Sequence, residues 1–148
     1  MNKIKVFILV LIVFLAVGCA EKKNVINPTE YYRIVTDLGY EIVDYTEDFD
    51  YSEATYVVQD NNFYVMYVKG KKRYDIRGLF LDECQNVYNK AKDGYKESTD
   101  GNEQWLSLEI DDGKNYYYVV YVNDTYVYVE TDIFNKGKAK DLVEKIGY

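Results

Sequence analysis

The sequence predicts an α+β domain in which helices pack on one face of an antiparallel sheet. Three helix-like segments are separated by runs of alternating apolar and polar residues, and turn residues join neighbouring runs as hairpins. Hairpin-linked strands favour an antiparallel sheet over an alternating parallel βαβ fold. The chain of 148 residues has no Pro-rich or Ser-rich stretch that would divide it, so we expect a single domain.

The first helix begins at the sequence NPTE, residues 27–30. Its asparagine can cap the helix, its proline suits the first helical position, and its glutamate can reach back as a capping-box partner. We expect the helix to end at Leu38, because Gly39 can take the left-handed conformation that closes a helix and Tyr40 can fold back onto the last turn. The single domain is therefore predicted over residues 28–148.

The second and third helices are predicted from apolar stripes at helical spacing. The stripes are Ile76, Phe80, Cys84, Val87 and Ala91 in the second helix and Ala139, Leu142, Val143 and Ile146 in the third. Gly-Tyr follows all three helices, at 39–40, 94–95 and 147–148. With strand-like runs after each of the first two helices, this order suggests an α-βββ duplication closed by a C-terminal helix, although glycine is common at helix C-termini in any case.

Two hairpins are predicted from the turn segments 60–62 and 123–124, whose Asn and Asp residues tolerate positive φ. Pairing around the second turn places Val122 opposite Thr125 and fixes which residues share a face. We expect the core face to carry Tyr116, Tyr118, Val120, Val122, Val127 and Val129. The opposite face then carries Tyr117, Val119, Tyr121, Tyr126, Tyr128 and Glu130.

The strand before this hairpin has its own apolar set, Leu106, Leu108 and Ile110. We expect this set to lie on the core face with the valines of the hairpin. A three-residue loop at 111–113, with its glycine left-handed in a bulge, gives that register and brings Leu106 opposite Tyr118.

In this register an aromatic surface forms on the less-buried side of the sheet. Tyrosine combines an apolar ring with a polar tip, so such a surface can stack on sugar rings or anchor a protein partner. The candidate binding residues are Trp105, Tyr117, Tyr121, Tyr126 and Tyr128. The alternative is a purely structural use, because cross-strand aromatic pairs stabilise a sheet by about 0.2 to 1 kcal/mol each.

Composition excludes several classes of function. The net charge of -7, from 18 basic and 25 acidic residues, opposes binding to nucleic acid. The sequence has no histidine, which excludes Ser-His triads, Cys-His pairs and zinc sites built on imidazole. We therefore predict no catalytic residue, no metal site, no cofactor and no enzymatic activity.

One acidic segment leaves an alternative open. The run DYTEDFDYSE, residues 44–53, clusters enough carboxylates to suggest calcium or a secreted carboxylate hydrolase. As a calcium loop starting at Asp48, it has Glu53 where the sixth-position glycine belongs and Gln59 in place of the final glutamate. The pattern favours a solvated acidic loop.

The N-terminus MNKIKVFILVLIVFLAVGCA has the features of a secretion signal. Lys3 and Lys5 form a basic region, and residues 6–17 form an apolar run that is shorter than the ~20 residues of a membrane-spanning helix. The sequence LAVGC at 15–19 resembles the lipobox of bacterial lipoprotein precursors, in which a small residue precedes a cysteine that receives diacylglycerol before signal peptidase II cuts in front of it. Ala16 stands where the family more often has leucine.

This resemblance covers only the signal region. It implies a signal peptide at 1–18, an acylated N-terminus at Cys19 and a lipid-anchored tether at 19–27, with the protein at the cell membrane on its extracytoplasmic face. An ordinary cleaved signal and an uncleaved anchor are the alternatives. Cys84, the other cysteine, would then have no disulfide partner, and we expect a buried, inert thiol.

The sequence as a whole predicts a membrane-anchored extracytoplasmic lipoprotein that binds a protein or glycan partner through its aromatic surface. A carboxylate hydrolase and a structural envelope component are the alternative functions. No feature of the sequence distinguishes a glycan from a protein partner.

Overall fold

The computed structural model describes residues 22–148, and the predicted signal peptide and Cys19 lie outside that range. The described chain forms one seven-stranded antiparallel sheet, in the order β1-β2-β3-β7-β6-β5-β4, with three helices packed on it. The elements are α1 (Pro28–Asp37), β1 (Val43–Asp44), β2 (Ser52–Asp60), β3 (Phe63–Gly70), α2 (Ile76–Lys90), β4 (Lys96–Gly101), β5 (Trp105–Asp111), β6 (Asn115–Val122), β7 (Thr125–Asp132) and α3 (Lys136–Lys145). The predicted α+β class is confirmed.

The helices divide between the two faces of the sheet. α1 and α3 cover one face, which we call the helix-pair face, and α2 covers the other, which we call the α2 face. The prediction placed helices on one face. Both faces need cover because β6 and β7 carry apolar or aromatic side chains on each side, and a strand that is apolar on both sides is stable only between two layers.

Helices α1 and α3 end in the same way. Gly39 and Gly147 adopt φ of +86° and +80°. The N–H of Tyr40 donates to the carbonyl of Val35, five residues back, and Tyr148 does the same to Val143. These two predicted ends are confirmed. α2 differs, because it stops at Lys90 with Ala91 extended, and Gly94 belongs to the turn that follows.

The two halves of the fold are not simple copies of one another. The second half contains an additional strand, β4, and the helices that precede the two sets of strands lie on opposite faces of the sheet. The element order α-βββ-α-ββββ-α therefore resembles the predicted duplication only in outline.

Both predicted hairpins form. Asn61 and Asn123 take φ of +47° and +53° in their turns, and Val122 pairs with Thr125. The predicted β5–β6 register is wrong, because the turn has two residues, 113 and 114, and Leu106 pairs with Tyr121. The Asp112 carboxylate closes this turn by accepting the N–H groups of residues 114 and 115.

The apolar set of β5 consequently lies on the α2 face rather than beside Val120. Among the helices of residues 22–148, none is both long and apolar enough to cross a bilayer.

Candidate functional site

The predicted aromatic binding surface is not an exposed surface. Tyr117, Tyr126 and Tyr128 share the α2 face as expected, but α2 covers them and leaves them 2 to 4% exposed. Tyr121 is half-buried and packs on Phe80 of the helix, with ring centroids 5.8 Å apart. These four tyrosines are therefore brought together, but as core residues.

Trp105 does not join that group. It is 3% exposed and lies on the helix-pair face, with the Lys23 ammonium 4.8 Å from its ring centroid. The prediction failed because it assumed one core face. The apolar stripe of α2 required a sheet face of its own, and that stripe was visible in the sequence.

The buried tyrosines stay protonated at neutral pH. Burial raises the pKa of Tyr117 to about 12, and it raises the pKa of Tyr126 and Tyr128 further. The Tyr128 hydroxyl donates to Glu130 at 2.5 Å and accepts from the Lys90 ammonium at 3.1 Å. The Tyr128 hydroxyl thus links the last residue of α2 to β7.

The acidic segment 44–53 runs from the last residue of the edge strand β1 through a 3-10 turn into the first two residues of β2. Asp44 accepts the backbone N–H and the hydroxyl of Thr46, so its carboxylate is occupied in capping the turn. Within residues 22–148 no group of three or more His, Cys, Asp or Glu side chains is arranged to hold a metal ion. Cys84 is fully buried, and burial raises the pKa of its thiol.

The N-terminal segment is fixed to the domain before α1 begins. The Ile26 side chain is 4% exposed, its N–H donates to the Tyr148 hydroxyl at 3.1 Å, and its carbonyl accepts from the Tyr67 hydroxyl at 2.8 Å. The predicted tether at 19–27 is therefore part of the folded core at its C-terminal end. The Tyr148 hydroxyl also hydrogen-bonds Thr125 at the start of β7, which places Ile26 at that end of the sheet.

The opposite end of the sheet carries a polar cleft of about 410 Å³, which we call the hairpin cleft. It lies between the β2–β3 turn, the β5–β6 turn and the end of β7. Its lining is Gln59, Asn61, Asn62, Phe63, Tyr64, Lys114, Asn115, Glu130, Thr131 and Asp132.

Hydrogen bonds hold the floor of the hairpin cleft in place. The Thr131 hydroxyl donates to the Asn62 carbonyl at 2.7 Å, and the Asn62 amide donates to Asp132 at 3.1 Å. The other oxygen of Asp132 accepts the N–H of Asn135 at 2.9 Å. Partial burial raises the pKa of the Asp112 carboxyl, but hydrogen bonds from the N–H groups of residues 115, 114 and 92 outweigh this effect and lower the pKa. The bonds from residues 114 and 115 also order the neighbouring turn.

A second, smaller groove of about 170 Å³ lies beside α3 on the helix-pair face. Two ion pairs lie in or beside this groove. Lys140 pairs with Glu109 at 2.9 Å, and Lys136 pairs with Asp111 at 2.8 Å. Both ammonium groups also lie 5.0 to 5.7 Å from the ring centroid of Tyr116. The hydrogen bond from Lys136 lowers the pKa of Asp111. Two of the three charged residues that line the groove, Lys140 and Glu109, are therefore paired with each other.

The sequence could not have identified the hairpin cleft. Its central contact joins Tyr64 of β3 to Glu130 of β7, which are neighbours only because those two strands pair. The one local signal was the polar turn at residues 60–62, where an apolar strand ends. Comparisons with protein-family models, with curated proteins and with solved structures found no match.

Proposed function

We propose that this chain is a membrane-anchored extracytoplasmic lipoprotein, acylated on Cys19, that acts by binding and not by catalysis. The lipobox-like sequence at 15–19, with the basic and apolar residues before it, supports the anchor. The lack of histidine supports binding over the commonest forms of acid-base and nucleophilic catalysis. The ligand surface in this proposal is the hairpin cleft, in place of the buried aromatic face.

The observation that carries the proposal is the position of Ile26 relative to the hairpin cleft. Ile26 is fixed to the domain seven positions after Cys19 (26 minus 19), and seven residues reach at most about 25 Å. A lipid on Cys19 would therefore hold this end of the domain close to the bilayer.

The hairpin cleft lies at the far end of the same strands. β7 runs from Thr125, beside the docked segment, to Asp132 in the cleft. At ~3.3 Å per residue this strand separates the two sites by roughly 23 Å. The cleft thus lies at the end of the domain opposite the anchored segment, where the anchor would leave it accessible to a partner.

The anchor is tested with two cysteine variants, Cys19→Ala and Cys84→Ala. The full chain is expressed in a bacterium fed a labelled fatty acid, and label and membrane association are measured. We expect the wild type and Cys84→Ala to be labelled and membrane-bound, and Cys19→Ala to be unlabelled, with its uncut signal sequence still attached. Label that persists in Cys19→Ala would refute acylation at this residue.

One observation favours a second candidate, a purely structural envelope component. The aromatic rings that a binding module could have exposed are instead buried under α2, namely Tyr117, Tyr126 and Tyr128. In that case Cys19→Ala would alter the cell envelope, whereas substitutions in the hairpin cleft would have no effect on it. Envelope integrity measured in both sets of variants separates the two candidates.

A further inference from the structure

α2 leaves one end of its own sheet face uncovered. The row of paired residues Val57, Met66 and Tyr128 is buried beneath the helix. Two residues further along the same strands, the paired row is Gln59, Tyr64 and Glu130. This second row lies past Lys90, where α2 ends, and its members are exposed or half-buried. The row forms one side of the hairpin cleft.

The rim of the cleft carries polar groups that no neighbour uses. Gln59 and Lys114 are exposed, and within residues 22–148 neither the Gln59 amide nor the Lys114 ammonium has a hydrogen-bond or ion-pair partner. A glutamine amide both donates and accepts, and an ammonium donates three hydrogen bonds. This set suits a ligand whose own groups both donate and accept, as hydroxyl groups do.

Tyr64 supplies an apolar surface between these groups. Its ring is half-buried and held edge-on against Tyr128, with centroids 6.0 Å apart. Its hydroxyl is directed to the Met66 sulfur at 3.7 Å, and its side chain is part of the cleft lining. A fixed aromatic ring among hydrogen-bonding groups is suited to a sugar, which has an apolar C–H face and a polar edge.

The charges in the cleft do not favour an ionic ligand. Glu130 is paired with Lys90 at 2.7 Å, and Asp132 is hydrogen-bonded by Asn62 and by the backbone of Asn135. Lys114 is the one cation of the lining, and it stands on a chain of net charge -7. A phosphate or sulfate would meet more carboxylates than ammonium groups here.

We propose that the hairpin cleft binds an uncharged oligosaccharide. The Tyr64 ring stacks against a sugar ring, while the Gln59 amide and the Lys114 ammonium hydrogen-bond its hydroxyls. This inference rests on the proposed function in one respect only, that the lipid anchor leaves the cleft accessible.

The test is calorimetric titration of the full chain, purified from whole cells extracted with a detergent that has no sugar headgroup, so that it is recovered with or without the lipid. The probes are β-1,4-linked tetrasaccharides of glucose and of N-acetylglucosamine, with a sulfated heparin tetrasaccharide as the charged comparison. We expect at least one neutral probe to bind. Gln59→Ala and Tyr64→Ala should each weaken that binding by about tenfold or more.

Two matched controls define the site. Tyr64→Phe keeps the ring and should keep the affinity, and Tyr118→Ala, in the groove beside α3, should leave it unchanged. Gln59 is exposed, so Gln59→Ala folds even if Tyr64→Ala does not. The inference is overturned if neither neutral probe binds, if only the sulfated probe binds, or if Gln59→Ala binds as tightly as the wild type.

The fatty-acid labelling separates failure of the anchor from failure of the site. A wild type that binds sugar without acquiring label refutes the anchor alone. A labelled wild type that binds neither neutral probe refutes the saccharide site alone.

Discussion

Tyr31 of α1 and Tyr67 of β3 stack with ring centroids 4.3 Å apart and planes inclined by 18°, yet only one of them has a partner for its hydroxyl. The Tyr67 hydroxyl donates to the carbonyl of Ile26. The Tyr31 hydroxyl is buried and has no hydrogen-bond partner within the described residues. Burial accordingly raises the pKa of both phenols.

This pair predicts opposite effects for the same substitution. Tyr31→Phe removes an unpaired buried hydroxyl, so the free energy of unfolding should stay the same or rise by up to about 1 kcal/mol. Tyr67→Phe leaves the buried Ile26 carbonyl unpaired and should lower the free energy of unfolding by about 1 to 3 kcal/mol. Urea unfolding measures both. Equal losses in the two variants would mean that Tyr31 has a polar partner.

Residues of the α2 face should respond to substitution according to burial. Tyr126 is 2% exposed, whereas Tyr121 is half-buried at the edge of α2. Tyr126→Ser should lower the free energy of unfolding by about 3 to 5 kcal/mol, and Tyr121→Ser by no more than about 2 kcal/mol. Urea midpoints with unchanged slopes would give both values. A small loss of unfolding free energy in Tyr126→Ser would mean that this ring is exposed, as the sequence predicted.

What the sequence could predict was the local chemistry of turns and helix ends. The cap at Asn27, the left-handed Gly39 and Gly147, and the turn residues Asn61 and Asn123 all behave as expected, because each depends on a few neighbouring residues. These signals were enough to predict the fold class and the three helices, but not β4.

What the sequence could not predict depends on distant pairings. β4, whose sequence KESTDG has little strand propensity, is a strand because it pairs with β5 along its whole length. The register of β5 was misjudged because both faces of the sheet are core, so alternation of apolar residues no longer distinguishes inside from outside. The hairpin cleft depends on the pairing of β3 with β7 in the same way.

The raised tyrosine pKa values predict loss of stability at alkaline pH. Burial raises the pKa of Tyr117 and of Tyr118 to about 12, whereas an unfolded tyrosine titrates near ~10. Between these values the unfolded chain has lost the proton that the native state retains. The contribution of these two tyrosines to the free energy of unfolding is therefore complete below about pH 10. It is lost as the pH rises towards 12, by up to about 1.4 kcal/mol per pH unit for each such tyrosine.

Urea unfolding between about pH 8 and 11 should therefore show a falling free energy of unfolding above pH 10. Tyr117→Phe removes one of these groups, so its curve should fall less steeply than that of the wild type. A wild-type curve that is flat to pH 11 would contradict the burial of these hydroxyls.

Two glycines should respond in opposite directions to alanine. Gly101, at the end of β4, has φ of +145°, and a Cβ there would lie 2.3 Å from the Trp105 carbonyl oxygen and 2.8 Å from the Leu106 Cα. Gly137, in the first turn of α3, has open space around the same position. Gly101→Ala should lower the free energy of unfolding by at least about 2 kcal/mol, because backbone atoms must move to make room for the Cβ. Gly137→Ala should stabilise the protein by up to about 1 kcal/mol, because alanine loses less conformational entropy in a helix.

Thermal unfolding followed by circular dichroism tests this pair. For a chain of this size, about 1 kcal/mol corresponds to a change in Tm of about 2 to 4 °C. The Tm of Gly137→Ala should rise by up to that amount, and the Tm of Gly101→Ala should fall by more. If Gly101→Ala has the same Tm as the wild type, the backbone of β5 does not lie as close to Gly101 as described.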